Sequence, residues 1–437
     1  MEFEMKMWKK LICLVALVGG IVILIWMTKV KRESLIKIQT EPNTIKLEIW
    51  YPWSDQNELY KNAFLKSISE YNEKHLTIQL EPYGMDMELY REKLPADIAS
   101  NDIPDIYYCF TGNYLKKIVQ SGRILDLDKY LINDDIKNNA QIQGMKFDGN
   151  LYGLGFAETN SVFLVNERLF EKYGIAIPET TEELIEVCEE FLNHGITPFA
   201  CSENMDIGFR MYLEALCLGI TGIDECMEIL EGTREANEKF LDGVKCFLRL
   251  VDMGAFAPDE EKKELYDAEE EFCMSRIPMY YTKNSFLGGI LQKNHPLYGK
   301  IHAISFPGVD KNVIMGGVTD CFVVNAATEY PMESVMALEE ITLSFAAKLH
   351  ESGSGISIWE DMNNIPEKIQ KDYEGNMVYL EMQELREQAE NRMPFWEIAV
   401  KRESMQEYLK ISKDLYDGKM NAEDFTEKIQ KNFYKDG

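Results

Sequence analysis

Apolar and polar residues first alternate between positions 45 and 51, where Ile45, Leu47, Ile49 and Tyr51 are separated by single residues. A period of two residues predicts a β-strand, because successive side chains of a strand point to opposite faces of the sheet. Residues 52–55, Pro-Trp-Ser-Asp, follow directly. They would lie beyond the carboxyl end of this strand, where ligands bind in open α/β sheets.

A second pattern occupies residues 146–166. Asp148-Gly149 separates two short apolar runs and favours the positive backbone dihedrals of a hairpin turn, so residues 146–147 and 151–152 should pair. Residues 162–165 are an uninterrupted apolar run. Such a run is typical of a strand buried on both faces, and we expect it in a mainly parallel sheet.

Helix signals follow. Asn166 can cap a helix over residues 167–173 that ends at Gly174, and Thr180 with Glu183 forms a capping box for the next helix. Further patterns predict a strand at 76–81, a helix at 85–99 interrupted by Pro95, a strand at 103–108 and helices at 113–120, 181–193, 208–218, 236–253 and 332–349. This order of strands and helices indicates an α/β protein.

The N-terminal region is of a different kind. Residues 11–27 are almost entirely apolar with basic residues on both sides, which predicts a signal sequence or membrane anchor at residues 1–29 and a polar tether at 30–43. No small-x-small cleavage site follows Met27, and the nearby Cys13 precedes most of the apolar run, so lipidation there would delete it. We therefore favour an uncleaved anchor.

Length and charge narrow the class of protein. A chain of 437 residues exceeds one ordinary core and favours two domains. The formal net charge of −28 would repel phosphate backbones, which argues against nucleic acid as a partner. The nine cysteines are scattered without a C-x-x-C pair, so most are interpreted as small buried hydrophobes, and we expect neither a metal nor a cofactor.

The order of features across residues 146–184 resembles the extracellular solute-binding proteins of ABC importers, most of all their carbohydrate-binding, maltose-binding-protein-like branch. Other segments resemble that family in the expected order: Ile103–Tyr108, Ile124–Leu127, Gly195–Pro198, Phe272–Phe286, Gly316–Asn325 and Tyr416–Phe425. The chain departs from the family at 275–278, where Ser-Arg-Ile-Pro replaces small residues, and at Phe286, where tryptophan is usual.

The resemblance implies a two-lobed, periplasmic-binding-protein-like α/β fold with a ligand cleft between the lobes. We expect the first lobe at residues 44–155 and 320–352 and the second at 156–319 and 353–437. Gly155, Gly316 and Gly353 lie near the expected crossings, where small residues can absorb changes in backbone dihedrals.

A sugar presents apolar faces and many hydroxyls, so its site needs aromatic rings and planar polar groups. The candidate rings are Trp53, Tyr281, Phe286, Trp359 and Trp396, and the candidate hydrogen-bonding residues are Asp55, Glu158, Asn160, Asp206, Asn284, Asp320 and Asp361. Each aromatic residue by itself has the competing interpretation of a core residue. Asp55 could equally cap a helix.

The function implied by the resemblance is capture of a carbohydrate, an oligosaccharide in our interpretation, and its delivery to ABC permease subunits. The protein would be a monomer on the extracellular face of the cell membrane. Carboxylate pairs also serve glycosidases, so a carbohydrate-active enzyme is one alternative. The absence of Gly-x-Ser-x-Gly, phosphate-loop and paired-histidine motifs favours binding without catalytic residues. A tethered sugar sensor for a membrane kinase is the other alternative.

Retention of residues 1–29 is testable, since neither a lipidation cysteine after the apolar run nor a cleavage motif is present. The intact mass of the protein extracted from native membranes should equal that of the full chain. A product that begins near Thr28 or later, or one that carries lipid on Cys13, would contradict the prediction.

Overall fold

A computed structural model describes residues 44–53, 58–131, 133–201, 208–256, 265–291, 293–359, 365–372, 374–399 and 405–433. The strands are β1 Ile45–Tyr51, β2 Ile78–Gly84, β3 Ile106–Phe110, β4 Lys146–Phe147, β5 Asn150–Leu151, β6 Leu154–Gly155, β7 Ala157–Asn166, β8 Phe199–Ala200, β9 Met279–Lys283, β10 Ile301–Ile304, β11 Val313–Gly317, β12 Asp320–Val324, β13 Ile356–Ser357 and β14 Asn391–Met393.

The helices are α1 Glu58–Lys74, α2 Met87–Ser100, α3 Gly112–Gln120, α4 Asp134–Asn138, α5 Glu167–Tyr173, α6 Thr181–Asn193, α7 Phe209–Thr221, α8 Ile223–Leu230, α9 Glu238–Asp252, α10 Leu265–Cys273, α11 Leu287–Ile290, α12 Pro331–Ser352, α13 Glu367–Gln370, α14 Met377–Gln388, α15 Trp396–Ala399, α16 Met405–Tyr416 and α17 Ala422–Phe433. Short 3-10 turns occur at Leu127–Lys129, Ala140–Met145 and Asn284–Phe286. In the described part of the chain, no helix is long and apolar enough to cross a membrane. The predicted anchor and tether lie outside the described residues.

The first sheet has the strand order β2-β1-β3-β12-β6. β1 pairs in parallel with β2 and β3, whereas β12 is antiparallel to β3 and β6. The strand predicted at 45–51 is confirmed as β1. Helix α12 packs on this sheet and on α1, and Phe345 of α12 lies 5.4 Å, ring centre to ring centre, from Phe64 of α1. We call the first sheet and these helices the first lobe.

The second sheet has the order β14-β11-β7-β9-β8, and β10 and β13 also pair with β7. The predicted strand at 162–165 is confirmed as part of β7 and is buried on both faces. Our expectation of a mainly parallel sheet around it is wrong, because β9, β10, β11 and β13 all run antiparallel to β7. A continuous apolar run reports burial of both faces, which does not depend on strand direction. This sheet with its helices is the second lobe.

The predicted turn and helix caps are only partly confirmed by the structure. The turn at Asp148-Gly149 is confirmed, with φ of 51° and 83° at its two residues, but residues 146–147 pair with 150–151 instead of 151–152. The capping box of Thr180 and Glu183 is confirmed. Asn166 stands at the N-cap of α5, but its side chain makes no capping hydrogen bond. Its side chain is completely buried.

Pro95 does not interrupt its helix. α2 runs unbroken from Met87 to Ser100, with Tyr90, Leu94 and Ile98 buried. These three residues are spaced by four and form one face, and packing of that face stabilises the helix against the loss of a single backbone hydrogen bond at proline. Most of the described cysteines are buried, as predicted: Cys109, Cys188, Cys201, Cys217, Cys226 and Cys321.

The two sheets are joined by one antiparallel ribbon. On the first-lobe side, Leu154 lies opposite Phe322 and Gly155 opposite Cys321. On the second-lobe side, Thr159 lies opposite Gly317 and Asn160 opposite Gly316. The register is the same on both sides, so the two crossing strands stay aligned while passing between the lobes. A third crossing, β13, pairs with the other side of β7 through Ile356 and Glu158. These three adjacent segments are the hinge.

Glycine is required in this ribbon. Gly316 has φ of 136°, in a region that L side chains rarely adopt, and a Cβ there would stand 2.2 Å from the Thr159 carbonyl oxygen. A Cβ on Gly155 would stand 2.4 Å from Val318 Cγ1. The backbones of the two crossing strands therefore approach more closely than side chains would allow.

α7 carries a carboxyl group into the core of the second lobe. Glu214 is 3% exposed, and it accepts hydrogen bonds from the Trp396 backbone N–H at 3.1 Å and from the Tyr408 hydroxyl at 2.6 Å. Burial raises the pKa of Glu214 to about 7, although these two hydrogen bonds oppose the rise. The residue therefore fixes the starts of α15 and α16 against α7.

The raised pKa predicts how stability depends on pH. Since the pKa of Glu214 moves from 4.5 to about 7 on folding, its contribution is fully present below about pH 4.5 and is lost as the pH rises through 7. Glu214→Gln should flatten this slope and gain, relative to the native chain, on the order of 3 kcal/mol between these limits. Urea unfolding across that range measures it. Glu423→Gln, which changes an exposed carboxyl, is the control and should keep the native slope.

Candidate functional site

The ends of several strands meet where the chain passes between the lobes. The carboxyl ends of β1 and β3 lie beside the amino end of β12, because β1 and β3 are parallel and Asp320 is paired with Phe110. On the second lobe, the amino end of β7 lies beside the carboxyl end of β9, where Lys283 is paired with Ser161. The two edges face each other across the hinge, and the space between them is the candidate cleft.

The lobes also meet away from the hinge. The Asn113 side chain, in the first turn of α3, donates a hydrogen bond to the Ala399 carbonyl of α15 at 2.8 Å. Gly112, with φ of 65°, lies against Ile398, and a Cβ there would stand 2.5 Å from Ile398 Cγ2. α15 is therefore a second-lobe element that contacts the first lobe away from the hinge.

Trp53 lies deep in the first lobe. Its side chain is 5% exposed and its ring centre lies 5.1 Å from that of Phe345, 5.2 Å from Phe64 and 5.7 Å from Tyr108. A ring enclosed by other rings has little free face for a ligand. Its role as a ligand platform stays a prediction, and its burial supports the competing interpretation of a core residue.

The other predicted rings are placed differently from one another. Phe286 is half-buried, with its edge to Tyr280 at 5.3 Å. Trp359 is half-buried beside the hinge and donates its indole N–H to the Gly155 carbonyl at 2.9 Å. Trp396 is completely buried and stacks on Phe240, and Tyr281 is 3% exposed in the second-lobe core. Phe286 and Trp359 thus keep some accessible ring surface, whereas Trp396 and Tyr281 keep almost none.

Pairing of β7 with β9 brings Glu158, Asn160 and Asn284 together, and their role in a ligand site stays a prediction. Asn284 donates to the Glu158 carbonyl at 3.1 Å and accepts from the Asn160 N–H at 3.1 Å. The Glu158 carboxylate contacts Arg386 Nε at 2.6 Å and Arg392 Nη2 at 3.2 Å. We call these five residues the hinge cluster.

The hinge cluster is an internal ion network. Burial would raise the pKa of Glu158, but the hydrogen bond and charge of Arg386, together with the charge of Arg392, outweigh it and hold that pKa below its usual value. Glu158 and Asn160 alternate with Thr159 and Ser161, so the two pairs of side chains lie on opposite faces of the sheet. The cluster occupies the face covered by α14, whereas α15 packs on the face of Thr159 and Ser161.

On that second face the structure adds residues that the sequence did not single out. Lys283 Nζ lies 3.7 Å from the Glu397 carboxylate, and both side chains are mostly buried at 16% and 14% exposure. Lys283 also lies 5.1 Å from the centre of the Phe395 ring. The sequence signal is a lysine at the end of a buried strand, and its role becomes clear only because α15 lies beside it.

The first-lobe wall carries an aromatic pair and a carboxylate. The half-buried rings of Phe110 and Tyr114 meet edge to face at 5.6 Å, and the Arg91 guanidinium lies 4.8 Å from the centre of the Phe110 ring. Asp320 accepts hydrogen bonds from the Tyr108 hydroxyl and from the Thr319 hydroxyl, the latter at 2.6 Å. Burial, with the Asp320 charge beside it, raises the pKa of Tyr108, so its hydroxyl stays a donor.

Three predicted site residues, Asp55, Asp206 and Asp361, lie outside the described residues. Among the residues that are described, no group of three or more metal-ligating side chains could hold a metal ion. What the described walls offer is aromatic surface together with hydroxyl, carboxylate and ammonium groups, a combination that suits a polar ligand with apolar faces.

A family model described as bacterial extracellular solute-binding protein matches residues 57–208. An uncharacterized ABC transporter extracellular-binding protein of Pyrococcus horikoshii is 22% identical over 219 residues, which are 47% of this chain and 48% of the relative. The chain therefore matches about half the length of that curated relative.

Solved structures extend the likeness to most of the chain. A protein from work on xylan utilization by Caldanaerobius polysaccharolyticus superposes with a TM-score of 0.81 at 24% identity, covering 89% of this chain and 99% of the other. A chitin oligosaccharide binding protein gives 0.80 at 19%, covering 89% and 98%. The solute-binding protein RafE in complex with raffinose gives 0.70 at 15%, covering 89% and 99%. The predicted resemblance to extracellular solute-binding proteins is confirmed for the segment that the family model matches, residues 57–208. The chain shares the mixed α/β two-domain fold of these solved structures.

Trp53 and Phe286 differ in burial, so removal of each ring should lower the free energy of unfolding by a different amount. Trp53→Ala should lower the free energy of unfolding by about 3–5 kcal/mol, because it leaves a cavity among packed rings. Phe286→Ala, at a half-buried ring, should cost about 1–2 kcal/mol. Urea denaturation of both variants measures the difference. Equally small losses of unfolding free energy for both variants would contradict a core position for Trp53 and support its role as a ligand-binding ring.

Proposed function

We propose that this protein captures a carbohydrate, most simply an oligosaccharide, in the cleft between its lobes and delivers it to an ABC importer. The observation that carries the proposal is the hinge. Three adjacent crossing segments join two lobes whose strand ends face each other, and such segments let the lobes rotate as rigid bodies around a ligand.

The chemistry of the walls supports a saccharide. Phe110, Tyr114, Phe286 and Trp359 keep part of their rings accessible, and apolar sugar faces stack on such rings. Asp320 on one wall and the Lys283–Glu397 pair on the other supply charged hydrogen-bonding groups, which bind hydroxyls more strongly than neutral groups do. The two walls therefore offer complementary contacts to one ligand.

Two of the structural neighbours are named for a saccharide ligand, which supports the same class of ligand here. We propose binding without catalysis. We also propose the lobe boundaries of 44–155 with 320–352 and 156–319 with 353–437, because membership of the two sheets changes at these positions. A monomer held on the outer face of the membrane by residues 1–29, with permease subunits as partners, completes the proposal.

A melting-temperature screen of the full chain against xylo-, chito- and raffinose-type oligosaccharides tests the function. A saccharide at about one hundred times its dissociation constant should add about 2.7 kcal/mol of stability and raise the melting temperature by several degrees. X-ray scattering of the same complex should show a smaller radius of gyration than the free protein. A panel in which only peptides or polyamines raise the melting temperature would contradict a carbohydrate ligand.

The Lys283→Met variant tests whether the ligand binds in the cleft. Loss of a charge-assisted hydrogen bond should weaken binding of the active saccharide about tenfold or more in calorimetric titration. Lys245→Met is the matched control, because Lys245 forms an exposed ion pair with Glu423 on the second lobe at 2.9 Å. Equal affinities for the two variants would place the ligand elsewhere.

A further inference from the structure

The start of α3 and the end of α15 form a close contact between the two lobes. Gly112 of α3 lies against Ile398 of α15, and the Asn113 side chain donates a hydrogen bond to the Ala399 carbonyl at 2.8 Å. A Cβ at position 112 would stand 2.5 Å from Ile398 Cγ2 and 3.0 Å from the Ile398 carbonyl oxygen. The two backbones therefore approach this closely only because residue 112 has no side chain.

Neither of the two atoms that such a Cβ would meet can move aside easily. Ile398 is β-branched and stiff at χ1, so its Cγ2 moves away only by a change of rotamer. The Ile398 carbonyl oxygen belongs to the backbone of α15, so it moves only with the helix. A side chain at position 112 would therefore separate α3 from α15.

The start of α3 is fixed to one of the crossing segments. Thr111, the residue before the helix, is 5% exposed and donates its backbone N–H to the Thr319 carbonyl at 2.9 Å. Its hydroxyl donates to the Val318 carbonyl at 2.8 Å. Val318 and Thr319 lie between Gly317 of β11 and Asp320 of β12, where the chain passes from the second lobe to the first. Two hydrogen bonds therefore tie the first-lobe half of the contact to the hinge.

α15 is fixed to the core of the second lobe. The Trp396 ring is completely buried and stacks on Phe240, with the ring centres 5.4 Å apart. The Trp396 backbone N–H donates to the buried Glu214 carboxylate at 3.1 Å. Glu397, the next residue, forms an ion pair with Lys283 on the cleft wall at 3.7 Å. The second-lobe half of the contact therefore moves with the second lobe and with its wall of the cleft.

The contact thus connects two bodies that can rotate about the crossing segments. Each half also adjoins a wall of the cleft, because Phe110 and Tyr114 flank the start of α3 whereas Glu397 lies within α15. Neither half yields locally, so a displacement at the contact is passed on to both walls. Separation of α3 from α15 would therefore widen the space between the walls.

We propose that this contact sets the angle between the lobes, and that Gly112 and Asn113 are positioning residues for ligand binding. Gly112 allows the two walls to come together, and the Asn113 hydrogen bond holds them there. Neither residue needs to touch the ligand. The part of the inference that concerns the ligand rests on the proposed function, whereas the part that concerns the lobe angle depends on the chain alone.

Neutron scattering of the full chain, in detergent whose contrast matches the solvent, measures the radius of gyration of the protein alone. Gly112→Ala should increase this radius, because the added Cβ separates the lobes. Gly122→Ala, at the other end of α3, is the matched control. Gly112 and Gly122 have φ of 65° and 70°, so both variants strain the backbone alike, but a Cβ on Gly122 meets no atom of the described residues within 4 Å. Equal radii of gyration for the two variants would overturn the proposal.

Two further variants separate the effect of the contact from an effect on folding. Asn113→Ala removes the hydrogen bond to α15 and adds no atom, so it should shift the balance between closed and open lobes about two- to tenfold and also increase the radius of gyration. The double variant Gly112→Ala/Ile398→Ala lacks the Cγ2 that the new Cβ would meet, so its radius should lie closer to the native value. A native radius for Asn113→Ala, or a double variant as expanded as Gly112→Ala, would contradict the proposal.

Ligand affinity is the second measurement. The saccharide that raises the melting temperature of the native chain should bind Gly112→Ala about five- to hundredfold more weakly in calorimetric titration, because only closed lobes bring both walls to the ligand. Gly122→Ala should keep the native affinity. Equal affinities for these two variants would overturn the positioning role. If no saccharide binds the native chain, the proposed function fails, whereas the scattering comparison still decides whether the contact sets the lobe angle.

Discussion

The alignment of the two crossing strands is the constraint on which the rest of the structure depends. On the first-lobe side, the ribbon pairs Leu154 with Phe322 and Gly155 with Cys321. The same register pairs Thr159 with Gly317 and Asn160 with Gly316 on the second-lobe side. A one-residue slip on either side would turn buried side chains of one sheet outward. The ribbon therefore fixes which side chains of each sheet are buried, and glycines at its closest approaches allow the backbones to come together.

The hinge cluster stabilises this ribbon at a cost. Glu158 and Arg386 are removed from water almost completely, and their mutual attraction must offset a desolvation penalty of several kcal/mol per ion. Arg392 forms a second ion pair with the carboxylate, and the Asn160 amide donates a hydrogen bond to it. Such a network adds little net stability, but loss of one partner leaves a buried charge, so it holds β7, α14 and β14 in one arrangement. That arrangement sets the second-lobe wall of the cleft.

Two large aromatic side chains fill the cores of the two lobes instead of lining the cleft. Trp53 leaves a strand that points at the cleft, yet its ring turns into the first-lobe core, because α12 brings Phe345 against it. Trp396 likewise fills the second-lobe core against Phe240, while Ile398 of the same short helix reaches the first lobe. The cleft walls are left to smaller or half-buried groups such as Phe110, Tyr114 and Lys283.

The sequence by itself determined the local elements and their order, because these depend on short-range physics. The alternation at 45–51, the Asp148-Gly149 turn and the capping box of Thr180 each need only neighbouring residues. Strand direction around β7, the unbroken course of α2 through Pro95 and the pairing of Lys283 with Glu397 depend on contacts between distant segments. Only the tertiary structure decides which rings are core and which remain accessible, because an aromatic side chain has the same sequence signature in both places.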